Sequence, residues 1–182
     1  LMVTLPNTGS EVWKINRAAP YEITWTAANI SEVNVSYSTN GSGGPWTPIA
    51  TLVPAGDGSI NWTFLNTTNV SKIASIKVED ASNNSVYDTS NSTFNLTPEF
   101  DIIQPDDSSD ILIAEEEYTI KWSSTGANLS EVNLEYATDG GTIWNNVSTI
   151  RNVTNNGEYS WGSVNGTALT NTSLVRVTDP NR

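Results

Sequence analysis

The sequence contains no cysteine and no histidine. Without these residue types the 182-residue chain has no thiol nucleophile, no imidazole acid or base, and no cysteine or histidine ligand for a metal. Disulfide bonds are excluded as well. Most classes of enzyme depend on one of these side chains, so we expect a protein that is not an enzyme and that needs no cofactor.

Basic residues and long apolar runs are also scarce. Lys and Arg total 8 against 20 Asp and Glu, which gives a net charge of −12. A surface this negative repels the phosphates of nucleic acids and anionic lipid headgroups. No apolar run reaches the length of about 18 residues that a membrane-spanning helix needs, and the first residues, "LMVTLP", do not form a secretion signal. We therefore expect a mature chain without nucleic-acid partners or membrane insertion.

Asparagine is abundant, and it often stands two residues before serine or threonine, as in the acceptor sequence for N-glycosylation. Random placement of the 22 Asn and 44 Ser or Thr residues predicts about 5 such sequences. The chain has 14, at Asn29, Asn34, Asn40, Asn61, Asn66, Asn69, Asn83, Asn91, Asn95, Asn128, Asn146, Asn152, Asn165 and Asn171. The excess indicates a glycosylated extracellular protein, and a polar β-rich surface is the alternative explanation. Because small secreted eukaryotic domains usually contain disulfides, a prokaryotic and in particular an archaeal cell surface is favoured.

The chain contains one internal repeat. "YEITWTAANISEVNVSYSTNGSGGPW" (21–46) matches "YTIKWSSTGANLSEVNLEYATDGGTIW" (118–144), and "GSINW" ending at Trp62 matches "GEYSW" ending at Trp161. Downstream, "SIKVED" matches "LVRVTD". Agreement of this kind at Trp, Tyr and Asp positions indicates a duplicated domain.

Both copies have the residue pattern of short β-strands. Apolar residues such as Ile23 and Trp25 alternate with polar ones, and Gly-rich turns separate the runs. Four such runs per copy predict an all-β chain of two tandem antiparallel immunoglobulin-like β-sandwiches. We expect the domains at residues 1–96 and 100–182, with a short linker at 97–99.

The two copies differ at the closing strand. In the first copy, Asp80 is followed by 16 residues up to Leu96, and Phe94 and Leu96 fit a closing strand. In the second copy, Asp179 is followed by only three residues, so this sandwich is predicted to lack its final strand. An open sheet edge leaves backbone groups unpaired. Either the natural chain continues past Arg182, or a strand from another subunit completes the sheet.

The second alternative predicts a homo-oligomer or filament whose subunits join head to tail. Its expected interface residues are the alternating apolar side chains of the N-terminal segment as donor and the last strand of the second copy as acceptor. They are Leu1, Val3, Leu5, Val175 and Val177.

The first copy resembles a known family in "PNTGSEVWKI", "YEITW", "SEVNVSYSTNG", "PW", "SINW" and "SIKVED". It is similar to the immunoglobulin-like domain of Ser/Thr-rich GPI-anchored fungal cell-wall proteins, which recurs in tandem in archaeal and bacterial surface proteins. The resemblance spans nearly all of the first copy and most of the second, where no Trp matches Trp13. It implies a role as a spacer, a wall component or an adhesive module.

The seven Trp residues suggest a second interpretation, which is carbohydrate binding. Six of them form repeat-related pairs at inward positions or beside turns, and we predict that they pack in the cores. The pairs are Trp25 with Trp122, Trp46 with Trp144, and Trp62 with Trp161. Trp13 has no counterpart, so it is the candidate surface aromatic.

Acidic residues cluster near the boundary between the copies. Asp106, Asp107 and Asp110 are a weak candidate for a Ca²⁺ site, and a solvated acidic loop is the alternative because no EF-hand loop is present. Glycosidase chemistry needs two carboxylates in a cleft, and acids in the turns of a small sandwich offer no cleft.

Together these features predict a non-catalytic, N-glycosylated extracellular structural protein, a subunit of a cell-surface filament. The alternative is an adhesin or a carbohydrate-binding accessory module of a larger surface protein, which would bind surface glycans.

Overall fold

The computed structural model describes residues 1–64, 68–106, 109–113, 115–148, 151–162 and 170–181. The chain divides into two compact units, Leu1–Pro98 and Glu99–Arg182. Within the described residues both units consist of β-strands, apart from one short 3-10 turn at Ala55–Asp57. No helix in this part of the chain has the length and apolar character needed to cross a membrane. The predicted all-β class, with two units built mainly from antiparallel strands, is confirmed.

In residues 1–64 and 68–98 the first unit contains nine strands. They are β1 (Met2–Leu5), β2 (Val12–Lys14), β3 (Tyr21–Thr26), β4 (Glu32–Ser38), β5 (Thr47–Pro54), β6 (Ser59–Trp62), β7 (Ser71–Asp80), β8 (Asn83–Thr89) and β9 (Phe94–Thr97). One sheet has the order β1-β3-β6, and the other has the order β2-β9-β7-β4-β5, with β8 also paired to β7. The side chains of Ile23, Trp25, Val33 and Val35 alternate along β3 and β4 into the core between the sheets, as the sequence pattern predicts.

The closing strand of the first unit is divided into two parts. β8 pairs with the C-terminal part of β7, whereas β9 lies between β7 and β2, antiparallel to the former and parallel to the latter. Phe94 and Leu96 of β9 are buried in the core. Because β9 extends to Thr97 and β10 begins at Phe100, the predicted linker loses its first residue to the first unit.

Trp13 is a core residue, so its prediction as a surface aromatic is wrong. Its side chain is 5% exposed, and its ring stacks on Tyr21 with 4.8 Å between ring centroids. On another side the ring lies 4.7 Å from Phe94. The three-residue strand β2 pairs with β9, which is about eighty residues away in sequence, and Phe94 of β9 is one of the rings that pack around Trp13.

The second unit contains seven strands in its described part. They are β10 (Phe100–Gln104), β11 (Tyr118–Ser124), β12 (Glu131–Ala137), β13 (Asn145–Asn146), β14 (Val153–Thr154), β15 (Glu158–Trp161) and β16 (Leu174–Thr178). One sheet has the order β10-β11-β15, and in the other β12 pairs with β13, β14 and β16. The core contains Ile120, Trp122, Val132, Leu134 and Trp161.

The two units share one pairing register. Tyr37 lies opposite Ile76 in the pair β4–β7, and Tyr136 lies opposite Val175 in the pair β12–β16. The shift is 99 residues on both strands, and it is the same along the whole of β16. The structure therefore fixes which residue of the second unit corresponds to which residue of β7.

Candidate functional site

The candidate site is the position in the second unit where the two parts of the closing strand, β8 and β9, lie in the first. We call it the acceptor slot and define it by its two sides, Ile111–Ile113 and β16. Leu112 corresponds to Trp13 of β2 and likewise packs against its core, and β16 corresponds to β7. In the described part of the chain, no strand pairs with β16 on the side away from β12.

The first unit shows which backbone groups face this position. The Ser90 N–H donates to the Ile76 carbonyl at 2.9 Å, and the Ile76 N–H donates to Ser90 Oγ at 3.1 Å. The backbone of Ile76 thus faces the closing strand. Val175 corresponds to Ile76, so its N–H and C=O point into the acceptor slot, and those of Val177 do so as well because the pattern repeats every two residues.

Several apolar side chains around the slot are exposed, and one of them has a buried counterpart in the first unit. Ile111 is 77% exposed and Ile113 is 55% exposed. Leu174, on the outer face of β16, is 47% exposed, whereas the corresponding Ser75 is fully buried and bonded through its hydroxyl to Ser90 Oγ at 2.9 Å. The absence of a covering strand beside β16 in the described residues accounts for this difference.

The predicted interface residues fall in two different places. Val175 and Val177 lie in β16, and their role as interface residues stays a prediction. The N-terminal donor segment does not fit its prediction, because β1 already pairs with β3 and the Val3 side chain is fully buried in the first unit. The Val3 N–H also donates to Asp88 Oδ2 at 2.8 Å. Donation of Leu1 to Leu5 to another subunit would therefore open one core in order to close another.

Sequence reasoning missed Ile111, Leu112, Ile113 and Leu174 as parts of the site. Two differences between the copies could have indicated these residues from the sequence. An apolar triplet replaces "VWK", and Leu174 replaces Ser75, so the second copy becomes more apolar where its sheet is open. The register of β16 places Leu174, and the equivalence with β2 places Ile111–Ile113.

Trp46 and Trp144 are half-buried beside turns, and the prediction that this pair packs in the cores is corrected. Lys77 Nζ lies 5.3 Å from the centroid of the Trp46 ring, and Arg176 Cζ lies 4.0 Å from that of Trp144. Each cation also forms an ion pair, and in the second unit Arg176 Nε is 2.7 Å from Glu135 Oε2. In both units this contact between a cation and a Trp ring holds the turn that carries the Trp against the outer face of the sheet. The cation lies on one face of each ring. The other two Trp pairs are buried as predicted.

The described asparagines of the glycosylation sequences all reach solvent. Three are half-buried, namely Asn34, Asn95 and Asn152. The exposed ones are Asn29, Asn40, Asn61, Asn69, Asn83, Asn91, Asn128, Asn146 and Asn171. Asn66 and Asn165 lie outside the described residues. No sequon falls between Asn95 and Asn128 or within β16, so both sides of the acceptor slot lack a glycan acceptor.

The acidic cluster forms hydrogen bonds within its own loop. Asp110 Oδ2 accepts a bond from the Asp106 N–H at 2.7 Å, and its Oδ1 accepts one from the Tyr118 hydroxyl at 3.2 Å. Burial raises the pKa of Tyr118, a hydrogen bond with Gln104 acts in the opposite direction, and the Asp110 charge raises it further. No group of three or more acidic side chains in the described ranges is placed to hold a metal, and Asp107 lies outside them. Asp110 thus closes a loop.

Glu11 closes the corresponding loop of the first unit. Its Oε1 accepts bonds from the N–H groups of Asn7 and Thr8 at 2.8 and 2.9 Å, and its Oε2 accepts one from Gly9 at 2.9 Å. Desolvation by burial raises the pKa of Glu11, but the backbone hydrogen bonds outweigh it and lower the pKa to about 2. A carboxylate that caps this loop is a feature of both copies.

Two solved structures resemble the chain at low similarity. The three N-terminal domains of the bacteriophage RB49 Highly Immunogenic Outer Capsid protein (Hoc) match with 12% identity and a TM-score of 0.29, over 97% of this chain and 66% of that chain. The FN1-FN3 domains of chicken CNTN1 match with 10% identity and a TM-score of 0.27, over 95% of this chain and 65% of that chain. The chain thus spans just under two thirds of each. No family model and no curated protein matches it.

Proposed function

We propose that the protein is a non-catalytic, N-glycosylated structural protein of a prokaryotic cell surface, archaeal in particular, and a subunit of a filament assembled by β-strand complementation. The observation that carries this proposal is the acceptor slot of the second unit. Among the described residues, it combines a sheet edge beside which no further strand pairs with exposed apolar side chains, and in the first unit β8 and β9 occupy the same position.

The physical argument concerns the open edge. The Val175 and Val177 backbone groups point into the slot, and a row of unpaired donors and acceptors next to apolar side chains is a template for another strand. An added strand supplies main-chain hydrogen bonds, and its alternate side chains enter the core. A donor strand and a slot on different parts of a subunit make a head-to-tail contact, which propagates into a fibre.

The proposed N-glycans and the net negative charge are consistent with an extracellular location. Every described sequon asparagine has an exposed or half-exposed side chain, so a glycan attached there would not disturb a core. The net charge of −12 keeps such a surface soluble. The sides of the slot carry no sequon, which leaves them open to a polypeptide.

The adhesin alternative had Trp13 as its candidate binding residue, and the structure buries this side chain. Trp13 packs against Tyr21 and Phe94. The partly exposed Trp46 and Trp144 rings carry a cation on one face. A sugar could therefore stack on at most one face of the Trp46 and Trp144 rings.

Native material tests the proposal in two measurements. We expect an intact mass well above the 19.7 kDa polypeptide, with a decrease after enzymatic or chemical deglycosylation, and we expect fibres in electron micrographs that yield this subunit. A native protein with the mass of the bare polypeptide contradicts the glycan assignment. A native protein that stays monomeric at high concentration, with no fibres on cells, contradicts the filament.

A further inference from the structure

We infer that the first sugar of an N-glycan on Asn29 lies in a surface pocket beside that residue, where the side chain of Leu52 packs against it. The inference rests on the proposed function for the presence of the glycan. Its geometry rests on the residues of the first unit that form the pocket. The sugar that fits there is a neutral one, a hexose or an N-acetylhexosamine.

The pocket has a volume of about 230 Å³. That is below the range of about 300 to 1,000 Å³ that is usual for drug-sized ligands, so the pocket suits a single sugar ring. Three segments form its walls, namely the turn before β4, the bulged part of β5 and the turn after β7. The lining residues are Asn29, Ile30, Ser31, Glu32, Leu52, Asp80, Ala81 and Ser82.

Backbone hydrogen bonds fix these walls relative to one another. The Ala55 N–H donates to the Ser31 carbonyl at 2.9 Å, and the Ala81 N–H donates to the Glu32 carbonyl at 3.0 Å. The pocket therefore has its shape before a sugar enters it, which reduces the entropy cost of binding.

Leu52 forms the apolar wall of the pocket. Its side chain is 60% exposed, and its backbone has a φ of +54°, which is uncommon for a residue other than Gly, Asn or Asp. The Leu52 N–H donates to Asn34 Oδ1 at 3.1 Å, and this bond holds the residue in the bulge of β5. The fold thus presents an apolar side chain at the pocket, although most of that side chain stays outside the core. A sugar ring has an apolar face of C–H groups, and contact between the two surfaces removes both from water.

The polar lining selects a neutral sugar. Glu32 and Asp80 contribute carboxylates, and the Ser82 hydroxyl donates to Asp80 Oδ1 at 2.7 Å. Carboxylates accept hydrogen bonds from the hydroxyl and amide groups of a sugar, whereas two negative charges repel a uronic acid or a sulfated sugar. Because the sugar is attached to Asn29 at the edge of the pocket, its effective concentration there is high, and weak contacts are sufficient to hold it.

The second unit contains the same acceptor sequence at the same place. Asn128 corresponds to Asn29 under the shift of 99 residues, and the two have φ values of +58° and +59°. Among the described asparagines of the glycosylation sequences, only this pair recurs at an equivalent position of the two copies.

The surroundings of the two asparagines differ at one wall. The strand pairs β4–β5 and β12–β14 place Asn152 where Leu52 lies in the first unit. Asn152 Nδ2 donates to Glu131 Oε2 at 3.2 Å. The second unit thus has a polar residue where the first has its apolar wall, so Asn128 is an internal control for Asn29.

The test compares a glycosylated and an unglycosylated form of the full 182-residue chain. The first comes from a host whose N-glycans begin with N-acetylglucosamine, and the second from a host without N-glycosylation. Ser31→Ala removes the acceptor sequence but keeps Asn29, and Ser130→Ala does the same at Asn128. In the glycosylated form we expect Ser31→Ala to lower the Tm by roughly 2 to 4 °C and Ser130→Ala by less than about 1 °C. In the unglycosylated form both variants should keep the Tm of the parent to within about 1 °C.

Leu52→Ala shows whether the sugar uses the pocket. In the glycosylated form this change should lower the Tm by a similar amount to Ser31→Ala and add nothing to it when the two are combined. In the unglycosylated form it should have little effect, because the side chain is mostly exposed. Nuclear Overhauser contacts between the first sugar and the Leu52 methyl groups are the direct observation. No loss of Tm from Ser31→Ala, an equal loss from Ser130→Ala, or the same loss from Leu52→Ala in both forms overturns the inference.

Native material separates this inference from the function on which it rests. Mass spectrometry of glycopeptides should find Asn29 occupied, with a neutral first sugar. If other sequons carry glycans and Asn29 is bare or carries an acidic first sugar, the inference is overturned and the glycoprotein stands. If the native protein carries no glycan at any site, the proposed glycosylation and this inference both fail. A native monomer with a sugar on Asn29 in contact with Leu52 contradicts the filament alone.

Discussion

The guanidinium carbon of Arg176 lies 4.0 Å from the centre of the Trp144 ring. The same arrangement, with Lys77 over Trp46, occurs at the corresponding position of the first unit. A cation over an indole face contributes about 0.5 to 1 kcal/mol when the pair is partly exposed. The duplication has thus kept a cation and an aromatic ring together although the cation differs.

Arg176→Ala is expected to lower the free energy of unfolding of the second unit by about 1 kcal/mol, because both the ring contact and the ion pair with Glu135 are lost. Urea unfolding of the full chain followed by Trp fluorescence measures it. Lys121→Ala, on the exposed side of β11, is the control and should change stability by less than about 0.5 kcal/mol. Arg176→Ala combined with Trp144→Ala should cost less than the sum of the single changes, and simple additivity would remove the coupling.

Trp13→Ala should be among the most damaging single changes in the first unit. It removes a buried indole that contacts Tyr21 and Phe94, and such truncations cost about 3 to 5 kcal/mol. The neighbouring Val12 is 52% exposed, so Val12→Ala is a matched control with little expected effect. Equilibrium unfolding of the two variants is the measurement. A stable Trp13→Ala protein with an altered affinity for glycans would restore the adhesin interpretation.

Glu11 makes the stability of the first unit depend on pH. Its pKa of about 2 in the folded chain lies below the ordinary value of 4.5. A lowered folded pKa stabilises the protein above the unfolded pKa, and that stability is lost as the pH falls from about 4.5 toward 2. Since the carboxylate is largely solvated, we expect about 1 kcal/mol after screening.

The test is Glu11→Gln. At pH 7 this variant should be less stable than the parent protein by about that amount, and the two should converge near pH 2. Glu22→Gln on the exposed side of β3 serves as the control and should follow the parent at every pH. A constant difference between Glu11→Gln and the parent from pH 7 to pH 2 would show that the hydrogen bonds to the loop do not depend on the charge.

Two adjacent glycines in the turn before Trp46 should respond differently to alanine. Gly44 has a φ of +79°, and a Cβ there would lie 2.9 Å from Trp46 Cδ1. At Gly43 a Cβ would meet nothing within 4 Å. We expect Gly44→Ala to cost about 1 to 2 kcal/mol, from the left-handed backbone and the displaced ring, and Gly43→Ala to be close to neutral. Thermal unfolding compares them, and equal Tm values would contradict this account of the turn.

The sequence predicted the parts of the fold that depend on local periodicity. Alternation along β3 and β4 identified Ile23, Trp25, Val33 and Val35 as core residues, and the structure buries all four. Each of these strands is six or seven residues long, which is enough for a period of two to be visible.

Features that depend on distant strands could not be predicted in this way. β2 is too short to show a period, and the strand that pairs with it comes much later in the chain. The cations over Trp46 and Trp144 lie on a neighbouring strand of the sheet, so only the register places them there. The sequence indicated one side of the acceptor slot, because the given residues of the second copy contain no match to the closing strand of the first. Its other side, at Ile111–Ile113, required the equivalence with β2.

β7 pairs with β4 in the same register as β16 pairs with β12. A closing strand therefore meets the same spacing of backbone groups along β7 and along β16, whichever molecule supplies it. Under the proposed function, the contact between subunits is therefore a folding contact of the domain that is made between two molecules, and it requires no separate binding surface.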